Sequence, residues 1–167
     1  MVSILQVVGY KKSGKTTTMN TLIKLLKSQG FHIAVIKHHG DKSGQEIDIP
    51  QSRDHITYVE SGADESIVQG YQYLHKLIQK EDVNTLENLE YIIQHEVTTN
   101  PDIILIEGYK QAKYDKIVLF NNVDDEKVLS QLSNVQYMLD TSMDIKESNK
   151  KLETFINKWV DDTRETI

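Results

Sequence analysis

Near the start of the chain a short apolar run, Ile4 to Val8, ends at Gly9 and gives way to "YKKSGKTTT". A glycine, four residues and then Gly-Lys-Thr is the spacing of a phosphate-binding loop, which operates between a buried strand and the N-terminus of a helix. Gly9 and Gly14 permit backbone conformations and close approach that a side chain would obstruct. Successive N–H groups then turn toward phosphate oxygens, helped by the positive end of the following helix. The candidate nucleotide-binding residues are therefore Gly9, Tyr10, Lys11, Lys12, Ser13, Gly14, Lys15, Thr16 and Thr17. Lys15 is expected to reach the β- and γ-phosphates and Thr16 to ligate magnesium through its hydroxyl. Thr17 is expected to contact the α-phosphate.

The residues downstream supply the context that the motif needs. Met19, Leu22, Ile23 and Leu26 recur at helical spacing, Gly30 suits a C-cap, and Phe31 to Lys37 read as a second buried strand. His38 to Ser52 form a long polar loop, followed by a short helix from Ser52 to about Ser61 with Ile56 and Val59 inward. "DESIVQGYQYLHKLIQK" predicts a hairpin around Gly70, with a helix through "YLHKLI" as the alternative. Tyr71 and Tyr73 read there as an ordinary half-buried hairpin face in preference to an interface stripe.

Leu86, Leu89, Ile93 and Val97 mark another helix; "IILIEG", Lys116 to Phe120 and Val135 to Leu139 are three more strands. A last helix from about Ile145 to Val160 carries Leu152, Phe155, Ile156 and Trp159 inward. Strands alternating with helices predict an α/β P-loop NTPase fold: a mostly parallel sheet, helices on both faces, and a β-hairpin decoration. With 167 residues and no low-complexity linker, residues 1–167 are expected to form a single nucleotide-binding domain.

Nucleotide-binding proteins of this fold place an acidic residue at the end of a buried strand, facing magnesium. Glu107, at the end of "ILIEG", occupies that position and joins Thr16 as a candidate metal ligand. Asp102 starts the same strand and belongs at the opposite edge, as a turn residue. Lys37 and His38 close the second strand near the phosphates. His38 and His39 are adjacent, and His32 and His55 stand at no ligand-like spacing from them, so transition-metal binding is disfavoured. Glu46, Asp48 and Asp54 are mainly solvated, with one of them a candidate for a magnesium-held water. "NKWVDD" fails as a guanine reader because Val160 stands where that motif needs aspartate.

The composition excludes several classes. There is no cysteine, so neither disulfide nor thiolate chemistry is available. A net charge of −6 argues against a nucleic-acid partner, and no apolar run reaches the ~20 residues of a membrane span. A cytoplasmic protein is expected. Small-molecule kinases clamp the migrating phosphoryl group with several arginines. Only Arg53 and Arg164 are present, which is thin equipment for fast transfer.

"GYKKSGKTT", "AVIKHHG", "RDHITYVESGA" and "IILIEGYKQAKYDKIVLF" together resemble the MobB family, over Ile4 to about Phe120. These are small GTP-binding adaptors of molybdopterin-guanine dinucleotide biosynthesis. The resemblance implies GTP and Mg2+ as ligands, weak hydrolysis and a homodimer. It also implies a partner, the MobA-type nucleotidyltransferase that attaches GMP to molybdopterin. Gly9 to Thr17 match the family's nucleotide loop, Glu107-Gly108 its acidic strand end, Lys37-His38 its second strand end, and Asp54 an acidic motif residue. The extra lysine that related dimeric switches carry early in the loop is replaced by Tyr10. A small-molecule kinase and a GTPase metallochaperone are the alternatives.

Overall fold

The structure is a computed structural model that describes residues 2–38, 54–78 and 85–164. In chain order the elements are β1 (Ser3–Gly9), α1 (Lys15–Ser28), β2 (Ile33–Lys37), α2 (Asp54–Glu60), β3 (Glu65–Gln69) and β4 (Leu74–Ile78). There follow α3 (Thr85–Tyr91), which runs into a π-helical turn at Ile92–Glu96, then β5 (Ile103–Glu107) and β6 (Asp115–Phe120). The chain ends with α4 (Val123–Leu129), β7 (Val135–Asp140) and α5 (Ile145–Arg164).

The apolar strands assemble as a five-stranded sheet in the order β2-β5-β1-β6-β7, parallel at every pairing. Because side chains alternate across a strand, each strand feeds two cores. Leu5, Val7, Ile103, Leu105, Ile117 and Leu119 point to one face, where they meet Met19, Leu22 and Leu26 of α1 and Leu152, Ile156 and Trp159 of α5. On the other face Ile104 and Ile106 pack with Leu89 of α3, and Val8 and Val118 with Leu129 of α4. Helices thus cover both faces, as the alternating pattern predicts. Full burial of each leucine or isoleucine contributes about 1.5–3 kcal/mol.

Chain contacts define two compact units, residues 1–38 with 85–167, and residues 39–84. Within the second, β3 and β4 pair antiparallel, with the Gly70 N–H donating to the Tyr73 carbonyl at 2.8 Å. The hairpin is therefore the outcome at this segment and the helical alternative is excluded. Tyr71 and Tyr73 need a correction. They lie in the turn, beyond the strand pairing, and are exposed rather than half-buried.

Two further differences have local causes. The second strand starts at Ile33 instead of Phe31, because the His32 N–H donates to the Asp102 carboxylate at 2.7 Å rather than to a strand neighbour. This contact also shows Asp102 as a structural residue at the edge away from Glu107. Helix α4 was not expected from the sequence. Its signal is a cap: the Asn122 side chain accepts from the Asp125 N–H at 2.8 Å, and three acidic residues fill the first turn.

These contacts set a scale for mutations. Leu105→Ala, in the middle of the sheet, is expected to cost about 2–5 kcal/mol in urea denaturation. Asn122→Ala is expected to cost only about 1 kcal/mol, the usual worth of a cap.

Candidate functional site

The loop between β1 and α1 follows directly from its residues. At its start, a Cβ on Gly9 would collide with Ser13 Oγ and lie 2.9 Å from the Leu119 carbonyl, so the chain passes too close to β6 for a side chain. The Ser13 N–H donates to the Tyr10 carbonyl at 3.2 Å, closing a turn. Lys12 and Gly14 take positive φ, +66° and +85°. Gly14 then opens α1, and its carbonyl accepts the Thr18 N–H at 2.9 Å.

No side chain caps α1, and no acidic residue sits in its first turn. The orphan N–H groups and the positive end of the helix dipole are left for another acceptor, which is the physical basis of anion binding at such a terminus. The Lys15 ammonium lies back over the loop, donating to the Tyr10 carbonyl at 2.6 Å and the Gly9 carbonyl at 3.3 Å. Lys11, Lys12, Gly14, Lys15, Thr16, Thr17 and Glu107 line one cleft of about 390 Å³. Of the other predicted loop residues, Gly9 and Ser13 are buried and Tyr10 is exposed, and none of the three is in the cleft lining.

Strand parity explains how Glu107 arrives there. Ile103, Leu105 and Glu107 share the face that carries α1, and β5 is in register with β1 at Val7 and with β2 at Lys37. The carboxylate of Glu107 lies 3.8 Å from the Lys37 ammonium. His38 donates its backbone N–H to the Glu107 carbonyl, and its ring rests 4.6 Å from that of Tyr109. Burial holds the Lys15 ammonium below the usual lysine range. The Glu107 carboxylate opposes that shift, and repulsion from Lys110 and Lys37 adds to it.

Several sequence-predicted residues fall elsewhere. His39, Glu46, Asp48 and Arg53 lie outside the described residues, and Asp54 begins α2 in the second unit. Among the described residues no group of three histidines, aspartates or glutamates is placed to hold a metal ion. Trp159 of "NKWVDD" is buried in α5 and donates to Asp115 at 2.9 Å. A larger hollow of about 490 Å³, beside β7 and α5, contains none of the predicted site residues.

The sequence reading missed the residues that hold the segment after Glu107. Gln6 and Lys116 are fully buried and level with one another on β1 and β6. Gln6 Nε2 donates to the carbonyls of Gly108 and Tyr109, both at 3.0 Å. Lys116 Nζ donates to the carbonyls of Ala112 and Tyr114. Their signal was available: a glutamine and a lysine inside otherwise apolar strands need buried partners.

The family described as "Molybdopterin guanine dinucleotide synthesis protein B" matches residues 4–140. The chain belongs to the MobB family. The match runs past Phe120, where the sequence resemblance fades, to the end of β7. A Bacillus subtilis (strain 168) relative, described as "Probable molybdopterin-guanine dinucleotide biosynthesis adapter protein", is 32% identical over 127 residues, 75% of this chain and 69% of its own length. An Escherichia coli (strain K12) relative, described as "Molybdopterin-guanine dinucleotide biosynthesis adapter protein", is 28% identical across 96% of this chain and 94% of its own length. Among solved structures, Bacillus subtilis MobB is 31% identical with a TM-score of 0.62, over 82% of this chain and 77% of that one. A MobB homologue from Bacillus stearothermophilus, 22% identical, has a TM-score of 0.67 over 93% and 96% of the two chains, a likeness of fold.

Gly108 offers a test of this MobB site. Its φ is +96°, and an added Cβ would sit 3.1 Å from His38 Cβ; Gly30, at φ +89°, has nothing within 4 Å. Both alanine variants should lose about 1–2 kcal/mol to left-handed strain. Only Gly108→Ala adds the contact with His38, so it should be the less stable of the two in denaturant titration.

Proposed function

We propose that this protein binds GTP with magnesium, hydrolyses it slowly, and serves as an adapter in molybdopterin-guanine dinucleotide biosynthesis. The observation that carries the nucleotide reading is the uncapped start of α1 facing a cleft with three lysines and one carboxylate in its lining. Such a cleft is electrostatically incomplete without a polyanion, and its loop has the shape that cradles phosphates. The pathway is supported by the family to which the chain belongs and by the adapter descriptions of its relatives, and the guanine preference is what the family resemblance implies.

Thr16 and Glu107 line the same cleft and supply one hydroxyl and one carboxylate oxygen donor. That donor set fits magnesium, which commonly takes one or two protein oxygens and fills its remaining positions with waters and nucleotide phosphates. Bound there, the ion would offset phosphate charge. Lys15 contributes charge-assisted hydrogen bonds once its ammonium leaves the two loop carbonyls for phosphate oxygens.

The adapter reading includes a homodimer, the MobA-type nucleotidyltransferase as partner, and a cytoplasmic setting. Among the described residues no helix is long and apolar enough to cross a membrane. A two-stranded hairpin is marginal by itself in water. This one leaves Ile67, Val68, Tyr71, Tyr73 and Leu74 exposed, which suits burial against a second copy.

Calorimetric titration of GTP and ATP, with and without magnesium, tests the nucleotide reading. Lys15→Ala should abolish tight triphosphate binding while the free protein keeps its melting temperature; a variant that binds normally would remove the central premise. Glu107→Gln should lose much of the magnesium dependence and bind as well or better without the ion.

Tempo separates adapter from enzyme. An arginine supplied in cis or by a partner speeds hydrolysis in this fold by about three to five orders of magnitude. Turnover of the isolated protein should therefore take on the order of minutes or longer, as in unassisted switches. GTP at a hundred times its Kd should still add about 2.7 kcal/mol of stability, visible as a higher Tm. Fast transfer of label to a small molecule or to water by the protein alone would favour the kinase reading instead.

A further inference from the structure

Lys110 stands three residues beyond Glu107, on the segment that Gln6 and Lys116 hold from beneath. Burying two polar side chains is costly unless each is hydrogen-bonded, and here their bonds go to the carbonyls of residues 108, 109, 112 and 114. Tyr109, at φ +52°, is fixed further by its contact with His38. The backbone at Lys110 is thus anchored on both sides, while its side chain crosses to the phosphate-binding loop. There the ammonium sits 4.0 Å from the centre of the Tyr10 ring.

We propose that Lys110 binds the terminal phosphate of a nucleoside triphosphate, and that the Tyr10 ring is the seat it occupies when that phosphate is absent. This rests on the nucleotide-binding reading above. Order along the loop gives the terminal phosphate. Thr17 is expected at the inner phosphate, whereas the Lys15 ammonium, expected at the outer ones, lies 2.6 Å from the Tyr10 carbonyl, so Tyr10 borders the outer end. Relative strength gives the exchange. A cation–π contact at an exposed ring is weaker than a charge-assisted hydrogen bond to phosphate.

Electrostatics agree with this placement. Burial holds the Lys110 ammonium below the usual lysine range, with attraction to Asp125 opposing, and Lys110 in turn depresses Lys15. No carboxylate among the described residues forms an ion pair with Lys110. Among the described residues, Glu107 offsets Lys15 and Lys37 and Asp125 attracts Lys110, while Lys11, Lys12 and Lys15 line the cleft, so positive side chains outnumber carboxylates around the loop. A terminal phosphate supplies the additional negative charge that separates a triphosphate from a diphosphate.

The experiment is calorimetric titration of wild type, Lys110→Gln, Lys110→Arg and Tyr10→Leu with GTP, GDP, ATP and ADP in the presence of magnesium. Lys110→Gln should weaken triphosphate binding by about tenfold or more and leave diphosphate binding within about twofold. Lys110→Arg should recover most of the triphosphate preference. Tyr10→Leu, which removes the competing seat and keeps the loop backbone, should raise the ratio of triphosphate to diphosphate affinity. Equal losses for di- and triphosphates, or no loss for either, would overturn the assignment. If the preference of Lys110 for triphosphates appears with adenine nucleotides and guanine is not favoured, the guanine reading fails and this one stands. If wild type binds none of the four, both fall.

Discussion

The parallel ladder between β1 and β5 sets Val7 level with Glu107 and so joins parts of the chain about one hundred residues apart. One partner leads into the phosphate-binding loop and the other ends in the carboxylate. Because both strands run the same way, their carboxyl ends share an edge, where ligands bind in open α/β sheets. Parity along β5 then turns Glu107 toward the face that holds α1. Slipping the register by one residue would send that carboxylate to the opposite face and put Ile106 in its place.

At the edge so formed, lysines outnumber carboxylates among the described residues. The α1 terminus presents uncapped N–H groups, and Lys15 is held to loop carbonyls instead of a carboxylate. Glu107 partly offsets Lys37 at 3.8 Å, a loose pairing with the lysine largely in solvent. Exposed pairs of this kind contribute little to stability.

Much of this was legible because it depends on local pattern. Gly9 to Thr16 announce their turn by spacing, "IILIE" reads as a buried strand, and the hairpin shows in its alternation about Gly70. What escaped depends on long-range or compensating contacts. Helix α4 lacks a strong apolar stripe, with Val123 and Val128 exposed, and is held chiefly by its Asn122 cap and Leu129. The roles of Gln6 and Lys116 appear only when β1, β6 and the segment after Glu107 come together. Phe31 and His32 look like strand residues in sequence, but Asp102 captures the His32 N–H before the ladder begins.

The place where the second unit leaves the sheet has a consequence for how the protein can vary. Residues 39–84 depart just after β2, and β2 is bonded directly to β5, the next strand of the sheet in chain order. The ladder itself therefore fixes Lys37 beside Glu107, whatever length of chain intervenes. Lengthening a flexible connection costs little, since each doubling adds only about 0.6 kcal/mol of closure entropy. The β2–β5 register, and with it the pairing of Lys37 and Glu107, is therefore independent of the length of the unit between them.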